Sequence, residues 1–166
     1  MLMAGGRRWG IAAVTAWASL LLVAAIWSAH HDQATVRAQS DLTAGRQTLD
    51  EAVAAVLAAA GAGVGVDVRP YQVATGCRVT LARRGTEVDQ TVLLTVPAGQ
   101  EGQLLDRLVE RLPADWQAQH FPQSNRFFAD AGNFVAVRAE VGEPGQVRLT
   151  ASTGCRPGSE PELAPD

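Results

Sequence analysis

The side chains best suited to chemistry in this sequence are two cysteines, Cys77 and Cys155, each within a Thr-Gly-Cys-Arg stretch. Two thiolates need two further ligands to complete a tetrahedral zinc site. The histidines are poorly placed for this, because His30 and His31 adjoin an apolar segment and His120 stands alone. A redox-active pair normally has Cys-x-x-Cys spacing, whereas these residues are 78 positions apart. The sequence therefore predicts no metal, no cofactor and no catalytic thiol.

A disulfide between Cys77 and Cys155 fits the same observations better. The number of cysteines is even, and both residues lie at the ends of predicted strands. The chain has 14 arginines and no lysine, a bias that predicts a GC-rich bacterial genome. Disulfides persist outside the bacterial cytoplasm, which is where the N-terminal segment discussed below would place them. A bond that closes a loop of this length stabilises a fold by about 4–5 kcal/mol in the chain-entropy model. The alternative is a pair of buried free cysteines that act as small apolar side chains.

Other catalytic patterns do not occur. No serine lies in a Gly-x-Ser-x-Gly or Ser-x-x-Lys motif. The glycine-rich stretch 61–66 follows a predicted helix and opens a predicted strand, which is the reverse of a dinucleotide-binding fingerprint. We therefore expect no catalytic residues and a protein that is not an enzyme.

The stretch 114–130 concentrates the aromatic residues of the C-terminal part. We predict an interaction surface there, since aromatic residues beside arginine are typical of binding hot spots, although a loop pinned to a small core explains them equally well. Its members are Trp116, His120, Phe121, Arg126, Phe127 and Phe128. The alternative function is a small-ligand site or an enzyme site, for which Arg126, Arg138, Asp130 and His120 are the candidates.

The charge distribution argues against nucleic acid as a partner. The formal net charge is −3, and beyond residue 31 there are 12 arginines against 17 carboxylates. No basic run is longer than Arg83-Arg84. A nucleic-acid-binding domain normally shows a basic patch, because phosphate neutralisation supplies most of its affinity.

The N-terminal segment, residues 9–29, is uncharged and apolar. It has the length of about 20 residues that a transmembrane helix needs, and Trp9 and Trp27 lie near its ends. Arg7 and Arg8 precede it, so the positive-inside rule predicts residues 1–8 in the cytoplasm and the rest outside the bacterial inner membrane. The alternative is a cleaved signal peptide, whose apolar core is usually shorter.

Beyond this segment, we expect a helical stalk over 32–47, a domain over 48–156 and a disordered tail over 157–166. Thr48 and Glu51 match a capping box before an apolar helix that ends at Gly61. Two predicted hairpins flank an amphipathic helix with leucines 104, 105, 108 and 112 on one side. The first hairpin turns at 83–86, and residues 114–125 form a loop.

These elements predict an α+β domain of αββ-αββ type, in which helices pack on one face of an antiparallel sheet. A short cytoplasmic end, one membrane helix, a stalk and such a domain resemble the architecture of platform proteins of type II secretion and type IV pilus systems. We therefore expect a membrane-anchored protein that binds or assembles a partner in the cell envelope. The stalk would allow a homo-oligomer.

Overall fold

The computed structural model describes residues 4–31, 40–81 and 83–157 of the chain. Helix α1 runs Ala4–His31 and includes the apolar segment. The side chains of residues 14–27, including Trp17 and Trp27, are exposed. Within the described residues, no helix is both long enough and apolar enough to cross a membrane. The structure therefore does not support the transmembrane helix expected over 9–29.

The C-terminal part is an α+β domain with an antiparallel sheet and helices, as the sequence predicts. Its elements are α2 (Leu42–Ala60), β1 (Gly65–Val68), β2 (Gln72–Arg78), β3 (Arg84–Thr95), α3 (Glu101–Arg111), β4 (Gln119–Phe121), β5 (Arg126–Asp130), β6 (Ala136–Val141) and β7 (Gln146–Ser152). The expected order αββ-αββ is too simple. A third strand precedes α3, and β4 and β5 occupy a region that we expected to be mostly loop.

The described strands form one seven-stranded sheet in the order β1-β3-β7-β6-β5-β4. β1 and β2 lie one after the other along the same edge of β3, because β1 pairs with residues 92–95 and β2 with residues 84–89. The predicted hairpin β6–β7 is present, with Val141 opposite Val147. The turn of the first hairpin lies earlier than expected: β2 ends at Arg78, and Arg84 already belongs to β3.

Both helices pack on the same face of the sheet. The core joins residues of α2, α3 and the sheet; it includes Leu49, Val53, Val56, Leu104, Leu105, Leu108, Val92, Val137 and Leu149. The leucine stripe of α3 is buried as predicted. Its arginines do more than face solvent, because Arg107 and Arg111 donate hydrogen bonds to the carbonyls of Ala60 and Ala59 at the end of α2. These bonds satisfy terminal carbonyls that have no partner within their own helix.

Helix α2 begins six residues before the predicted capping box. Asp41 is its N-cap, and the carboxylate accepts a hydrogen bond from the amide of Ala44 at 2.8 Å. Thr48 instead lies inside the helix and donates to the carbonyl of Ala44. Residues 42–47, which we assigned to the stalk, are therefore the first part of α2, with Leu42 fully buried. Residues 32–39 of the expected stalk lie outside the described residues.

The predicted disulfide is confirmed: Cys77 of β2 is bonded to Cys155, which follows β7. The next residue, Arg156, pairs through its backbone with Thr86 of β3. The bond therefore holds the end of the described domain against the first hairpin. The tail predicted over 157–166 lies outside the described residues except for Pro157.

The side chain of Arg156 is fully buried. Nη1 donates to the carbonyl of Ser40 at 3.1 Å and to its hydroxyl at 2.8 Å, Nε donates to the carbonyl of Thr153 at 2.8 Å, and Nη2 donates to the carbonyl of Asn133. Burial lowers the pKa of Arg156, and the charge of nearby Asp41 opposes this shift. Arg156 thus joins the segment before α2, the loop before β6 and the residues after β7.

Candidate functional site

The candidate site lies on the face of the sheet that points away from α2 and α3, which we call the outer face. Successive side chains of a strand point to opposite faces. Because Val137, Ala139 and Leu149 point into the core, Arg138 and Arg148 point outward. The register places these arginines and their neighbours in two cross-strand rows. One row is Phe121, Arg126, Glu140, Arg148 and Leu93; the other is Gln119, Phe128, Arg138, Thr150 and Thr91.

An open depression of about 540 Å³ lies across these rows. It is lined by Phe121, Ser124, Arg126, Phe127, Phe128, Arg138, Ala139, Glu140, Arg148 and Thr150. These residues come from β4 to β7 and from the turn between β4 and β5. Sites for small molecules usually have volumes of about 300–1,000 Å³. The depression is therefore large enough to bind a ligand or a few side chains of a partner.

The depression is positively charged in a domain that is otherwise acidic. Arg126 and Arg148 flank Glu140 on the two neighbouring strands, and Arg138 lies on the same strand as Glu140, two residues away. Among the described residues, none of these three arginines forms an ion pair within 4.0 Å or a hydrogen bond through its side chain. Their guanidinium donors therefore remain available to a ligand. Such donors are well suited to carboxylate and phosphate groups.

Two phenyl groups give the depression its apolar surface. Phe121 and Phe128 are 43% and 37% exposed, although phenylalanine is among the residue types most often buried. Phe127, between them in sequence, points the other way and is buried in the core. The aromatic stretch therefore supplies one core residue and two exposed ones.

His120 and Trp116 lie away from the depression. The ring of His120 points to the helical side, where Nδ1 is 2.7 Å from a carboxylate oxygen of Asp106 on α3. Its Nε2 is buried and has no hydrogen-bond partner among the described residues. Trp116 is partly buried against the core. These two residues therefore attach β4 and the preceding turn to the domain.

An acidic group borders the depression on the outer face. Asp89, Ser152, Ala136 and Asp130 form the next cross-strand row, two residues along the strands from Arg138. The hydroxyl of Ser152 donates to the carboxylate of Glu87 at 2.6 Å. Burial raises the pKa of Asp89, as does the charge of Glu87, whereas Ser152 and Arg138 lower it. The outer face is therefore positive around the depression and negative beside it.

The structure brings together only two of the four residues that the sequence predicted for the alternative ligand site. Arg126 and Arg138 of the alternative ligand site line the depression, whereas Asp130 and His120 do not. Asp130 instead accepts a hydrogen bond from the amide of Gly132. Sequence reasoning missed Arg148, Glu140 and Thr150, although their alternation with buried Leu149 and Ala139 was a usable signal. Within residues 4–31, 40–81 and 83–157, no group of three His, Cys, Asp or Glu side chains could hold a metal ion.

Comparison with known proteins identifies a fold and no activity. No protein-family model matches the chain, and no curated protein matches it. A crystal structure of a DUF4853 family protein from Actinomyces odontolyticus ATCC 17982 is similar, with a TM-score of 0.50 and 20% sequence identity. The similarity covers 74% of this chain and 72% of that one. The chain therefore shares an α+β fold with that protein.

Proposed function

We propose that this protein is a non-catalytic binding protein of the bacterial cell envelope, whose outer face binds a partner. The single observation that supports this most is the open depression in which two exposed phenyl groups adjoin three arginines that form no ion pair with any described residue. Arginine and aromatic residues are over-represented at the centres of protein interfaces.

The envelope location belongs to the same proposal. The disulfide supports it, because disulfides are rare in the bacterial cytoplasm. The sequence over 9–29 supports a membrane tether, as do the exposed apolar side chains of α1, such as Leu21 and Leu22, because exposed apolar patches mark sites of contact with membranes or proteins. A charge at Leu21 tests the tether, since arginine at the centre of a membrane helix costs about 2.5–3.5 kcal/mol. Leu21→Arg should move the protein from the membrane fraction to the soluble fraction; unchanged fractionation would contradict the tether.

Site-specific photo-crosslinking in cells tests the binding surface. A photoreactive amino acid replaces Phe128 on the outer face in one variant and Glu110, exposed on α3, in the control. We expect a discrete crosslinked partner from position 128 and none from position 110. Arg138→Gln should reduce the crosslink at 128. Equal crosslinking from both positions, or none from 128, would show that the outer face is not the binding surface.

A small-ligand binder is the second candidate function. The volume of the depression favours it, since it falls within the range of small-molecule sites. In that case position 128 would give no protein crosslink in cells, while the purified protein would bind a small anion in a manner that depends on Arg138.

A further inference from the structure

We propose that the depression binds an acidic segment of a polypeptide, in which carboxylates contact Arg126, Arg138 and Arg148 and an apolar side chain contacts Phe121 and Phe128. This inference rests on the proposed function and names the chemistry of the partner. It goes beyond the fold, which by itself identifies no ligand.

The charge of the depression points to an anionic partner. Three arginines and one carboxylate residue, Glu140, line the depression, and the arginine side chains form no ion pairs among the described residues. Adjacent strands of a sheet are about 4.8 Å apart, so the α-carbons of Arg126 and Arg148, two strands apart, are about 10 Å from each other. Long side chains can converge on one carboxylate from these positions or bind two separate ones. Glu140 lies between them on the intervening strand β6.

The surroundings of the depression argue against an extended polyanion. Asp89 and Asp130 lie in the next cross-strand row, about 7 Å along the strands from Arg138, and Glu87 lies beyond them. A nucleic acid or an anionic membrane surface laid across the outer face would place negative charge against these carboxylates. A polypeptide avoids this repulsion, because its acidic residues can be confined to one short segment.

The apolar part of the depression argues against a simple inorganic anion. Phosphate or sulfate would leave Phe121 and Phe128 exposed and would fill little of a volume of about 540 Å³. A peptide that combines glutamate or aspartate with leucine or phenylalanine would contact both parts. Such a partner buries apolar area and satisfies the guanidinium donors at the same time.

Binding of a defined probe to the purified full-length chain tests the inference. The probe is a fluorescein-labelled peptide Gly-Glu-Phe-Glu-Asp-Leu-Gly, and its control has glutamine and asparagine in place of the acidic residues. Fluorescence anisotropy should show binding of the acidic peptide only, weakened by salt because charged contacts are screened. Arg138→Gln should weaken binding about tenfold, which corresponds to about 1.4 kcal/mol. Arg78→Gln is the matched control, because it removes an exposed arginine from β2 at the opposite edge of the sheet.

A charge reversal separates the inference from the proposed function. Arg138→Glu should abolish binding of the acidic peptide and permit binding of a peptide with lysine in place of its acidic residues. If the neutral control peptide binds the native protein with the same affinity as the acidic peptide, the prediction of an acidic partner is wrong. Crosslinking at position 128 would in that case still support the outer face as the binding surface. If Arg138→Gln and Arg78→Gln have equal effects, the location is wrong. If inorganic phosphate displaces the peptide at equal concentration, or phosphatidylglycerol vesicles bind more tightly through Arg138, a polypeptide is not the partner.

Discussion

Replacing Gly45 with alanine tests how the two ends of the domain are held together. In the middle of a helix, alanine is normally favoured over glycine by about 1 kcal/mol. A methyl group at Gly45, however, would lie 2.4 Å from Nε of Arg156 and 2.7 Å from its Cδ and Cζ. The arginine has little freedom to move, because its side chain donates hydrogen bonds to three separate segments. We therefore expect Gly45→Ala to destabilise the protein.

The size of the effect follows from the contacts that Arg156 would lose. Moving the guanidinium away from α2 breaks at least the two hydrogen bonds to Ser40. At the low end for charged groups, each contributes about 1.5 kcal/mol, so the loss is about 3 kcal/mol. Subtracting the helical preference of about 1 kcal/mol leaves a net loss of about 2 kcal/mol. For a domain of this size the Tm should fall by about 8 °C.

Thermal unfolding of the full-length chain, followed by circular dichroism, measures this change. Gly102→Ala in α3 is the matched control, since the nearest atom to a methyl group there is Cε1 of His120 at 3.9 Å. Its Tm should stay constant or rise slightly. In an Arg156→Met background, where the side chain is flexible and uncharged, Gly45→Ala should no longer lower the Tm. A rise in Tm for Gly45→Ala alone, or an equal loss in both backgrounds, would refute the reasoning.

Three further changes test other parts of the structure. Cys77→Ser should lower the free energy of unfolding by up to about 4–5 kcal/mol in denaturant titrations, and dithiothreitol should then have no further effect. Asp89→Asn should raise the Tm at neutral pH. Burial raises the pKa of Asp89, so the ionised carboxylate is less favourable in the folded protein than in the unfolded chain, and stability is lost as the pH rises through the raised pKa. An unchanged Tm would contradict this. Glu101→Gln should lower the Tm at neutral pH, because Glu101 accepts a hydrogen bond from the amide of Gly145 that lowers its pKa. The stabilising contribution of Glu101 exists above the ordinary pKa of glutamate and is lost as the pH falls through the lowered pKa. The Tm values of the native protein and Glu101→Gln should therefore converge in acid. A difference in Tm that does not change with pH would exclude ionisation of Glu101 as its cause.

Elements with a strong local pattern were predictable from the sequence. The stripe of α3 and the alternation of β6 and β7 each repeat over several residues, so their type and buried side were clear. The disulfide followed from the number of cysteines and the predicted location. These features depend on short-range periodicity or on chemistry with few alternatives.

The start of α2 was not predictable in the same way. Thr48 and Glu51 match a capping box, and Gly45 disfavours a helix before it. The helix nevertheless includes Gly45, and Arg156, more than 100 residues later, packs where a side chain at position 45 would lie. A contact at that distance in sequence overrides local preference and leaves no local signal.

The two short strands were missed because their pattern is short and ambiguous. β4 has three residues and precedes Pro122, while β5 contains two adjacent phenylalanines that point to opposite faces. The depression depends on these strands, so its composition was only partly predictable. Arg126 and Arg138 were recognised, but their proximity to Arg148 comes from the strand order, which the sequence did not indicate.

The hydrogen bonds between Arg156 and Ser40 also bear on protein engineering. Residues 40 and 156 lie side by side, so this domain could be spliced into a surface loop of a host protein without separating the two ends of that loop. The same proximity suits circular permutation, in which a short linker joins these ends and new termini are opened elsewhere. The turn between β6 and β7 is unsuitable for the opening because Gly145 is buried and its carbonyl accepts a hydrogen bond from the amide of Val96. The connection between β2 and β3, where Leu81 is exposed, lies at the opposite edge of the sheet from the depression. A permutant opened there would leave β4 to β7, which form the depression, uncut.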